Sequence, residues 1–239
     1  MKLRFAGISQ VGQIRNKNED AILMRVADHG ALFLVADGIG GREHGELASK
    51  MLCDRYNEWW EEQFFTPSMT FQKAIDTLRK VLFQVNQEIV SQFGCFNVGS
   101  TLVLLFLFHN HCLYLSSGDS RIYSAHGMAF QQITVDDVYE NLRPSAIKFE
   151  KASKGKLIGA VGICETPEFS IRTDAIKKKD RFLLCSDGAY RFISPQHLRR
   201  YILSPWKSPS KMIDDSLKEI EANGAKDNYS MICICIDAL

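Results

Sequence analysis

The sequence of 239 residues has no long hydrophobic run, no paired pattern of cysteines and no excess of charge of one sign. Its longest apolar run, Leu102–Phe108, has the length of a β-strand and falls far short of the roughly 20 residues that a membrane-spanning helix needs. The N-terminal residues contain no apolar segment of the kind found in signal peptides. We therefore expect a cytoplasmic protein that is not inserted in a membrane.

The cysteines and the charge balance argue against further classes of protein. The seven cysteines are odd in number and scattered, which favours reduced core thiols over disulfide bonds or a metal site. The 29 basic and 28 acidic residues give a net charge of +1, which argues against nucleic acid or an anionic membrane as the main partner. A chain of this length can bury a sizeable core, and we expect one domain spanning 1–239.

The order of periodic segments predicts an α+β fold. Two successive amphipathic helices are predicted, one beginning near Glu43 and one between Thr70 and Phe93, where apolar residues recur at spacings of three and four. Two more are predicted, one after Ser194-Pro195 and one at about 210–221. Strands are predicted at about 3–11, 21–26, 31–36, 100–108, 112–117, 121–125, 129–134, 157–163, 168–172, 181–186 and 229–236. Strands joined by hairpins and helices grouped in pairs indicate α+β rather than a βαβ sheet.

Aspartates stand at the ends of several predicted strands. Asp37, Asp119 and Asp187 each follow an apolar run, Asp227-Asn228 precedes the last one, and Asn18-Glu19-Asp20 forms an early acidic cluster. Buried strands that end in carboxylates bring negative charges to one rim of a sheet, where they repel unless protons or cations neutralise them. An oxygen-only ligand set suits magnesium or manganese rather than zinc.

Two other interpretations of these motifs are weaker. Asp-Gly, as in Asp37-Gly38 and Asp187-Gly188, is a common hairpin turn, but no strand is expected directly after either pair, and both lead towards a helix. A dinucleotide-binding loop is disfavoured, because Glu43 stands where the Gly-x-Gly-x-x-Gly pattern needs its third glycine.

Arg15 lies close to the acidic cluster at residues 18–20. Most arginines are solvated at the surface, yet a planar guanidinium also binds a phosphate well through two parallel hydrogen bonds. Carboxylates that hold metal ions, together with one such arginine, are what phosphoester hydrolysis needs.

Six motifs occur in one order along about 7–236, which is nearly the whole chain. They are Arg15-x-x-Asn18-Glu19-Asp20, Ala36-Asp37-Gly38-Ile39-Gly40-Gly41, Gly99-Ser100-Thr101-Leu102-Val103, Gly118-Asp119-Ser120-Arg121-Ile122-Tyr123, Leu184-Cys185-Ser186-Asp187-Gly188 and Asp227-Asn228. Together they resemble the bacterial branch of the PP2C-type (PPM) metal-dependent serine/threonine protein phosphatases. The resemblance implies a four-layer α-β-β-α sandwich, in which two antiparallel sheets carry helix pairs on their outer faces.

The resemblance also implies a centre of two Mn²⁺ or Mg²⁺ ions. In that family's pattern Asp37 bridges the two ions, the Gly38 carbonyl binds one of them, and Asp187 and Asp227 bind the other. Asp20 and Glu19 hold waters around the metals, with Asn228 beside Asp227, and Asp119 helps to hold a weaker third ion. Arg15 binds the substrate phosphate, and a water shared by the two ions attacks phosphorus directly.

Three departures from the family pattern affect the substrate contacts. Ile39 stands where animal members carry a histidine, a candidate acid for the leaving group. Ile158-Gly159-Ala160-Val161-Gly162 lacks the family's threonine and arginine, and Thr134-Val135-Asp136-Asp137 lacks its histidine. The last two flank a flap-like loop expected at about 135–156. Its cations are either solvated or a lip that attracts phosphorylated segments, and they are Arg143, Lys148, Lys151, Lys154 and Lys156.

The sequence therefore predicts a protein-serine/threonine phosphatase. We expect a monomer that acts on phosphorylated proteins and opposes a cognate serine/threonine kinase. Two alternatives stay open, namely a catalytically silent signalling or scaffold module with the same fold, and a phosphatase of other phosphoesters. Retention of all the metal aspartates disfavours the first alternative. The second stays open because the metal ligands do not determine which phosphoester is hydrolysed.

Overall fold

Two antiparallel sheets face each other at the centre of the computed structural model, which describes residues 1–40, 44–138, 141, 157–204 and 206–239. The predicted flap at about 135–156 lies mostly outside these residues, as do its five cations. The strands are β1 (Lys2–Gln10), β2 (Asp20–Ala27), β3 (Gly30–Gly40), β4 (Val98–Ser100), β5 (Leu102–Phe108), β6 (His111–Ser117), β7 (Arg121–His126), β8 (Ala129–Gln132), β9 (Ser170–Ala175), β10 (Arg181–Cys185) and β11 (Tyr229–Ala238).

Each sheet packs against the other sheet on its inner face and against helices on its outer face, which gives three layers of hydrophobic core. One sheet has the order β1-β11-β10-β7-β8 and the other β2-β3-β5-β6-β9, with β4 paired to the end of β3. The helices are α1 (Gly45–Trp59), followed by a π-helical turn at Trp60–Phe64, α2 (Phe71–Phe93), α3 (Asp187–Tyr190), α4 (Pro195–Leu203) and α5 (Pro209–Ala222). The first pair, α1 and α2, packs on the outer face of the second sheet, and α4 and α5 pack on that of the first. The predicted four-layer sandwich is confirmed.

The continuous apolar run of β3 is explained by burial on both faces. Leu32 and Leu34 belong to the core beneath α1 and α2, whereas Ala31, Phe33 and Val35 belong to the core between the sheets. Successive side chains of a strand point to opposite faces, so a strand covered on both sides needs apolar residues at every position.

The predicted helix starts are confirmed at three positions. Thr70 caps α2 by accepting a hydrogen bond from Lys73 N, at 3.2 Å. Ser194 caps α4 and Ser208 caps α5 in the same way, each followed by a proline in the first turn. A side-chain oxygen at this position satisfies a backbone N–H that the helix itself leaves without an acceptor. No described helix is long and apolar enough to cross a bilayer.

Three predictions about elements were wrong. The strand predicted at 157–163 is absent from the described residues, where Leu157 and Val161 form only isolated bridges, to Val138 and Ser100. β9 begins and ends later than predicted, at Ser170–Ala175. A strand does continue past Gly38, since β3 runs on to Gly40 and pairs there with β4.

Candidate functional site

The predicted carboxylates lie at one end of the two sheets. Asp187 follows the C-terminal end of β10, and the antiparallel neighbours β11 and β7 begin there, next to Asp227 and Asp119. In the other sheet Asp37 pairs in register with Asp20, the first residue of β2. Antiparallel pairing therefore brings residues from four distant parts of the sequence to one rim.

A cavity of about 380 Å³ opens at this rim. Eight of the nine residues predicted for the site line it, namely Arg15, Glu19, Asp37, Gly38, Asp119, Asp187, Asp227 and Asn228. Asp20 is buried beside it, paired to Asp37. The cavity is also lined by Ile39, Gly40, Thr101, Leu157 and Arg191.

Asp37 is held by its backbone. Its N–H donates to Thr101 Oγ1 at 3.0 Å, and its carbonyl accepts from Thr101 N at 2.9 Å and from Ser100 Oγ at 3.1 Å. Thr101 belongs to a recognised motif but was not predicted to be a site residue, because a threonine beside a strand gives no signal of its own.

Gly38 is needed where α1 approaches the end of β3. A Cβ atom there would lie 2.3 Å from the Gly45 carbonyl oxygen and 2.7 Å from that of Glu19. Both contacts are with backbone, so any side chain would push the strand and the helix apart. The glycine therefore keeps Asp37 close to the start of α1.

Asp37 lies close enough to four other carboxylates of the site to be affected by their charges. Burial raises the pKa of Asp37 well above its ordinary value, and the charges of Asp20, Asp187, Asp119 and Asp227 raise it further. Negative charges held together in a partly buried site favour the neutral forms. Either protons or cations must relieve this repulsion.

Asp20 is buried, with a side chain that reaches the end of β10 through Ser186. Burial raises its pKa to about 6, although Ser186 Oγ donates to its Oδ2 at 2.7 Å. Its Oδ1 is buried and accepts no hydrogen bond from the residues that the structure describes. A buried carboxylate oxygen without a donor is costly unless a further polar group, such as an ordered water, reaches it.

Two arginines form ion pairs with three of the carboxylates. Arg15 Nη2 lies 2.9 Å from Asp227 Oδ2. Arg191 Nη2 lies 3.1 Å from Asp119 Oδ2, and its Nη1 lies 3.1 Å from Asp187 Oδ2. Arg191 was not predicted as a site residue, because an arginine four residues after an aspartate is ordinary on any helix surface.

The donors fit a hard divalent cation by their chemistry. They are carboxylate and carbonyl oxygens, which Mn²⁺ and Mg²⁺ prefer. A bound cation would reduce the repulsion between the carboxylates. A cation or a water would also give the buried Oδ1 atom of Asp20 a partner. As the described side chains are placed, no three of His, Cys, Asp or Glu form a ligand cluster. Arginines hold Asp119, Asp187 and Asp227 instead.

Asn228 ties the loop that carries Arg15 and Glu19 to the start of β11. Its Oδ1 accepts from Glu19 N at 2.9 Å, and its Nδ2 donates to the carbonyls of Val11 and Lys17, each at 2.8 Å. Every hydrogen-bonding group of this amide except one lone pair of Oδ1 is thereby used. Asn228 therefore positions residues that face the cavity.

The two aspartates of the 134–137 segment have structural partners. Asp137 Oδ2 accepts from Gly118 N at 2.8 Å and so supports the turn before Asp119. Asp136 pairs with Arg121 at 2.7 Å. Asp137, which stands where the family pattern has histidine, therefore shapes the turn that delivers Asp119.

A larger cavity, of about 640 Å³, opens at the opposite end of the first sheet. Its two carboxylates are already engaged, Asp237 with Arg4 at 2.7 Å and Asp180 with His126 at 2.6 Å. The smaller cavity, where carboxylates accumulate, is the better candidate for catalysis.

Comparison with known proteins decides the family. The family model described as protein phosphatase 2C matches residues 13–220. The chain belongs to the protein phosphatase 2C family. The prediction of a protein-serine/threonine phosphatase is thereby confirmed.

Bacterial members of the protein phosphatase 2C family resemble this chain over most of its length. The serine/threonine phosphatase stp of Listeria monocytogenes is 30% identical over 234 residues, which cover 93% of this chain and 92% of that protein. The structure of PppA, a key regulatory component of T6SS in Pseudomonas aeruginosa, has a TM-score of 0.81 at 29% identity, covering 98% of this chain and 97% of that one. The catalytic domain of the phosphatase PstP in complex with two manganese ions has a TM-score of 0.80 at 22% identity, covering 98% and 99%, and shares the fold.

Proposed function

We propose that this chain removes phosphate from phosphoserine and phosphothreonine of proteins with the help of two divalent ions, Mn²⁺ or Mg²⁺. The observation that carries the proposal is the convergence of Arg15, Asp37, Asp187 and Asp227 on one cavity, although Arg15 and Asp227 are 212 residues apart in sequence. Asp37, the Gly38 carbonyl, Asp187 and Asp227 would hold the metals, and Asp20 and Glu19 would hold waters around them. When bound, the ions supply a water acidic enough to attack phosphorus at neutral pH.

Arg15 would bind the substrate phosphate. Its side chain is 49% exposed at the mouth of the cavity, where its Nη2 donates to Asp227. A phosphate that enters the cavity offers the same guanidinium two further oxygens, and bidentate contacts of this kind orient the ester. Arg15 would also stabilise charge that develops on the phosphoryl oxygens.

The leaving serine or threonine oxygen needs a proton, and no histidine supplies it from the described cavity lining. Ile39 occupies the position after Asp37-Gly38 and contributes only apolar surface. We infer that the leaving oxygen takes its proton from water in the open cavity rather than from a side chain.

The partners follow from the reaction class. Proteins phosphorylated by a cognate serine/threonine kinase would be the substrates, with the chain acting as a monomer of one domain in the cytoplasm. The seven cysteines, which are all free, support a reducing compartment.

A catalytically silent scaffold is disfavoured because the carboxylates and Arg15 occupy one cavity. Hydrolysis of other phosphoesters is one of the outcomes that the following test distinguishes.

Phosphate release from a phosphothreonine peptide tests the proposal. The wild-type protein should release phosphate with Mn²⁺ and none with EDTA, and Asp37→Asn should lower kcat by at least about a thousandfold, because a residue acting in the catalytic centre is lost. Asp174→Asn, at an exposed carboxylate on β9, is the matched control and should keep full activity. A folded wild-type protein that hydrolyses only phosphotyrosine or small esters, or nothing, would refute the proposal.

A further inference from the structure

Arg191 bridges two carboxylates of the candidate site with one guanidinium. Nη2 lies 3.1 Å from Asp119 Oδ2 and Nη1 lies 3.1 Å from Asp187 Oδ2. The side chains of the two aspartates are only 11% and 19% exposed, and that of the arginine is 52% exposed. A single positive charge is therefore shared between two largely buried anions at the ends of different strands.

The bridge is fixed on both sides by the surrounding structure. Arg191 directly follows the one-turn helix α3, which begins at Asp187, so the two residues are one helical turn apart. On the other side, Tyr190 Oη donates to the Asp119 carbonyl at 3.1 Å, and the Arg121 guanidinium lies 3.7 Å from the centre of the Tyr190 ring. Neighbouring groups therefore hold Asp119 within reach of Arg191, which separates this bridge from an ordinary surface ion pair.

A tethered cation competes with a free ion for the same two carboxylates. The guanidinium is part of the chain and stays charged at every physiological pH, so its local concentration does not depend on the solution. A divalent ion between Asp119 and Asp187 would have to displace it from both oxygens and then lie beside its positive charge. The bridge uses Oδ2 of Asp187, so Oδ1 of that residue is outside it.

We propose that Arg191 is a built-in cation that takes the place of a third metal ion between Asp119 and Asp187, so that this chain binds two divalent ions. The proposal rests on the proposed function, because it presupposes the two-ion centre. It replaces the expectation that Asp119 helps to hold a third ion, and it assigns Asp119 a structural partner within the chain.

Counting bound Mn²⁺ on the full chain by isothermal titration calorimetry, and by the signal of free Mn²⁺ in electron paramagnetic resonance, tests this proposal. The wild-type protein should bind two ions. Arg191→Ala should bind a third and weaker ion, and the double variant Arg191→Ala/Asp119→Asn should return to two. Arg191→Lys keeps the charge and should stay at two, and Arg191→Gln serves as the neutral variant if circular dichroism shows Arg191→Ala to be unfolded.

Arg4→Ala is the matched control, since Arg4 is also half exposed and paired with an aspartate, but lies away from the cavity. It should bind two ions. Three ions on the wild-type protein, or two on both neutral variants at Arg191, overturn the proposal and leave the proposed function intact. A folded wild-type protein that binds no Mn²⁺ overturns both, so the two failures are distinguishable.

Discussion

Arg15 and Arg4 form a matched pair for testing the role of a single guanidinium. Each side chain is 49% exposed and each is paired with an aspartate, Asp227 and Asp237, but only Arg15 faces the cavity. Charge-assisted hydrogen bonds to a phosphate contribute about 1.5–3 kcal/mol, so Arg15→Ala should lower kcat/KM for a phosphothreonine peptide by about 10- to 100-fold. Arg4→Ala should leave it unchanged. Equal rates for the two variants would show that Arg15 does not bind substrate.

Some residues of the candidate site could be predicted from the sequence and others could not. Asp37 and Asp187 were predicted because each follows an apolar run, and a buried strand fixes the position of the residues that directly continue its apolar part. Arg191 was not predicted, because its two partners, Asp119 and Asp187, come together only when β7 and β10 pair. A contact between residues 72 apart in sequence leaves no local pattern.

The element α3 depends on Gly188, which lies against the start of β11. A Cβ atom at this position would lie 1.9 Å from the Asn228 carbonyl oxygen. Gly188→Ala should therefore push Asp187 away from Asp227, lower the stability by about 1–3 kcal/mol and abolish Mn²⁺-dependent phosphate release. Gly127→Ala is the control, because an alanine at a φ of 57° is strained, but its Cβ would meet no atom within 4 Å. It should lose stability and keep activity, and loss of activity in the control would make general destabilisation the cause.

Helices α4 and α5 are joined by Glu219. Its carboxylate accepts from Ser194 N at 2.9 Å, from Tyr201 Oη at 3.1 Å, and contacts His197 Nδ1 at 2.8 Å. Burial alone would raise the pKa of Glu219, but these hydrogen bonds outweigh it and hold the pKa below its ordinary value of 4.5.

A lowered pKa in the folded state means that Glu219 stabilises the protein above the ordinary pKa and that this contribution is lost as the pH falls through the lowered value. Glu219→Gln should cost about 1–2 kcal/mol at pH 7 and much less near pH 3. Urea unfolding at both pH values measures this, with Glu221→Gln, an exposed neighbour on α5, as the control. An equal loss at both pH values would contradict the assignment.

Elements were predictable where one periodicity runs without interruption. α2 and the strand pair β5 and β6 agree with the sequence analysis within two residues, because each has an unbroken apolar pattern. The segment at 157–163 looked like a strand by its apolar residues, yet it contains Gly159 and Gly162, the latter with a φ of 92°. A positive φ breaks an extended strand.

In the whole molecule, the carboxylate rim makes folding stability depend on cations. Burial raises the pKa values of Asp20 and Asp119 to about 6. In the metal-free protein, the stability linked to these groups is present below their ordinary pKa of 3.8 and is lost as the pH rises through about 6. Mn²⁺ therefore has most repulsion to relieve above pH 6, and fewer protons compete with it there.

Mn²⁺ should raise the melting temperature of the wild-type protein more at pH 8 than at pH 5, because a ligand that binds only the folded state stabilises it. Differential scanning fluorimetry with Mn²⁺ or EDTA at the two pH values measures this. Asp37→Asn should show little rise at either pH. A rise in the wild-type protein that is larger at pH 5 would argue against carboxylate ligands.

The most direct measurement is an anomalous difference map from a crystal of the wild-type protein grown with Mn²⁺. We expect two peaks in the cavity, each roughly 2.1 Å from a carboxylate oxygen of Asp37, Asp187 or Asp227. In the ordinary electron density of the same crystal, Arg191 should remain between Asp119 and Asp187. Peaks elsewhere, or an ordered cavity without a peak at saturating Mn²⁺, would contradict the claim that these distant aspartates form one metal centre.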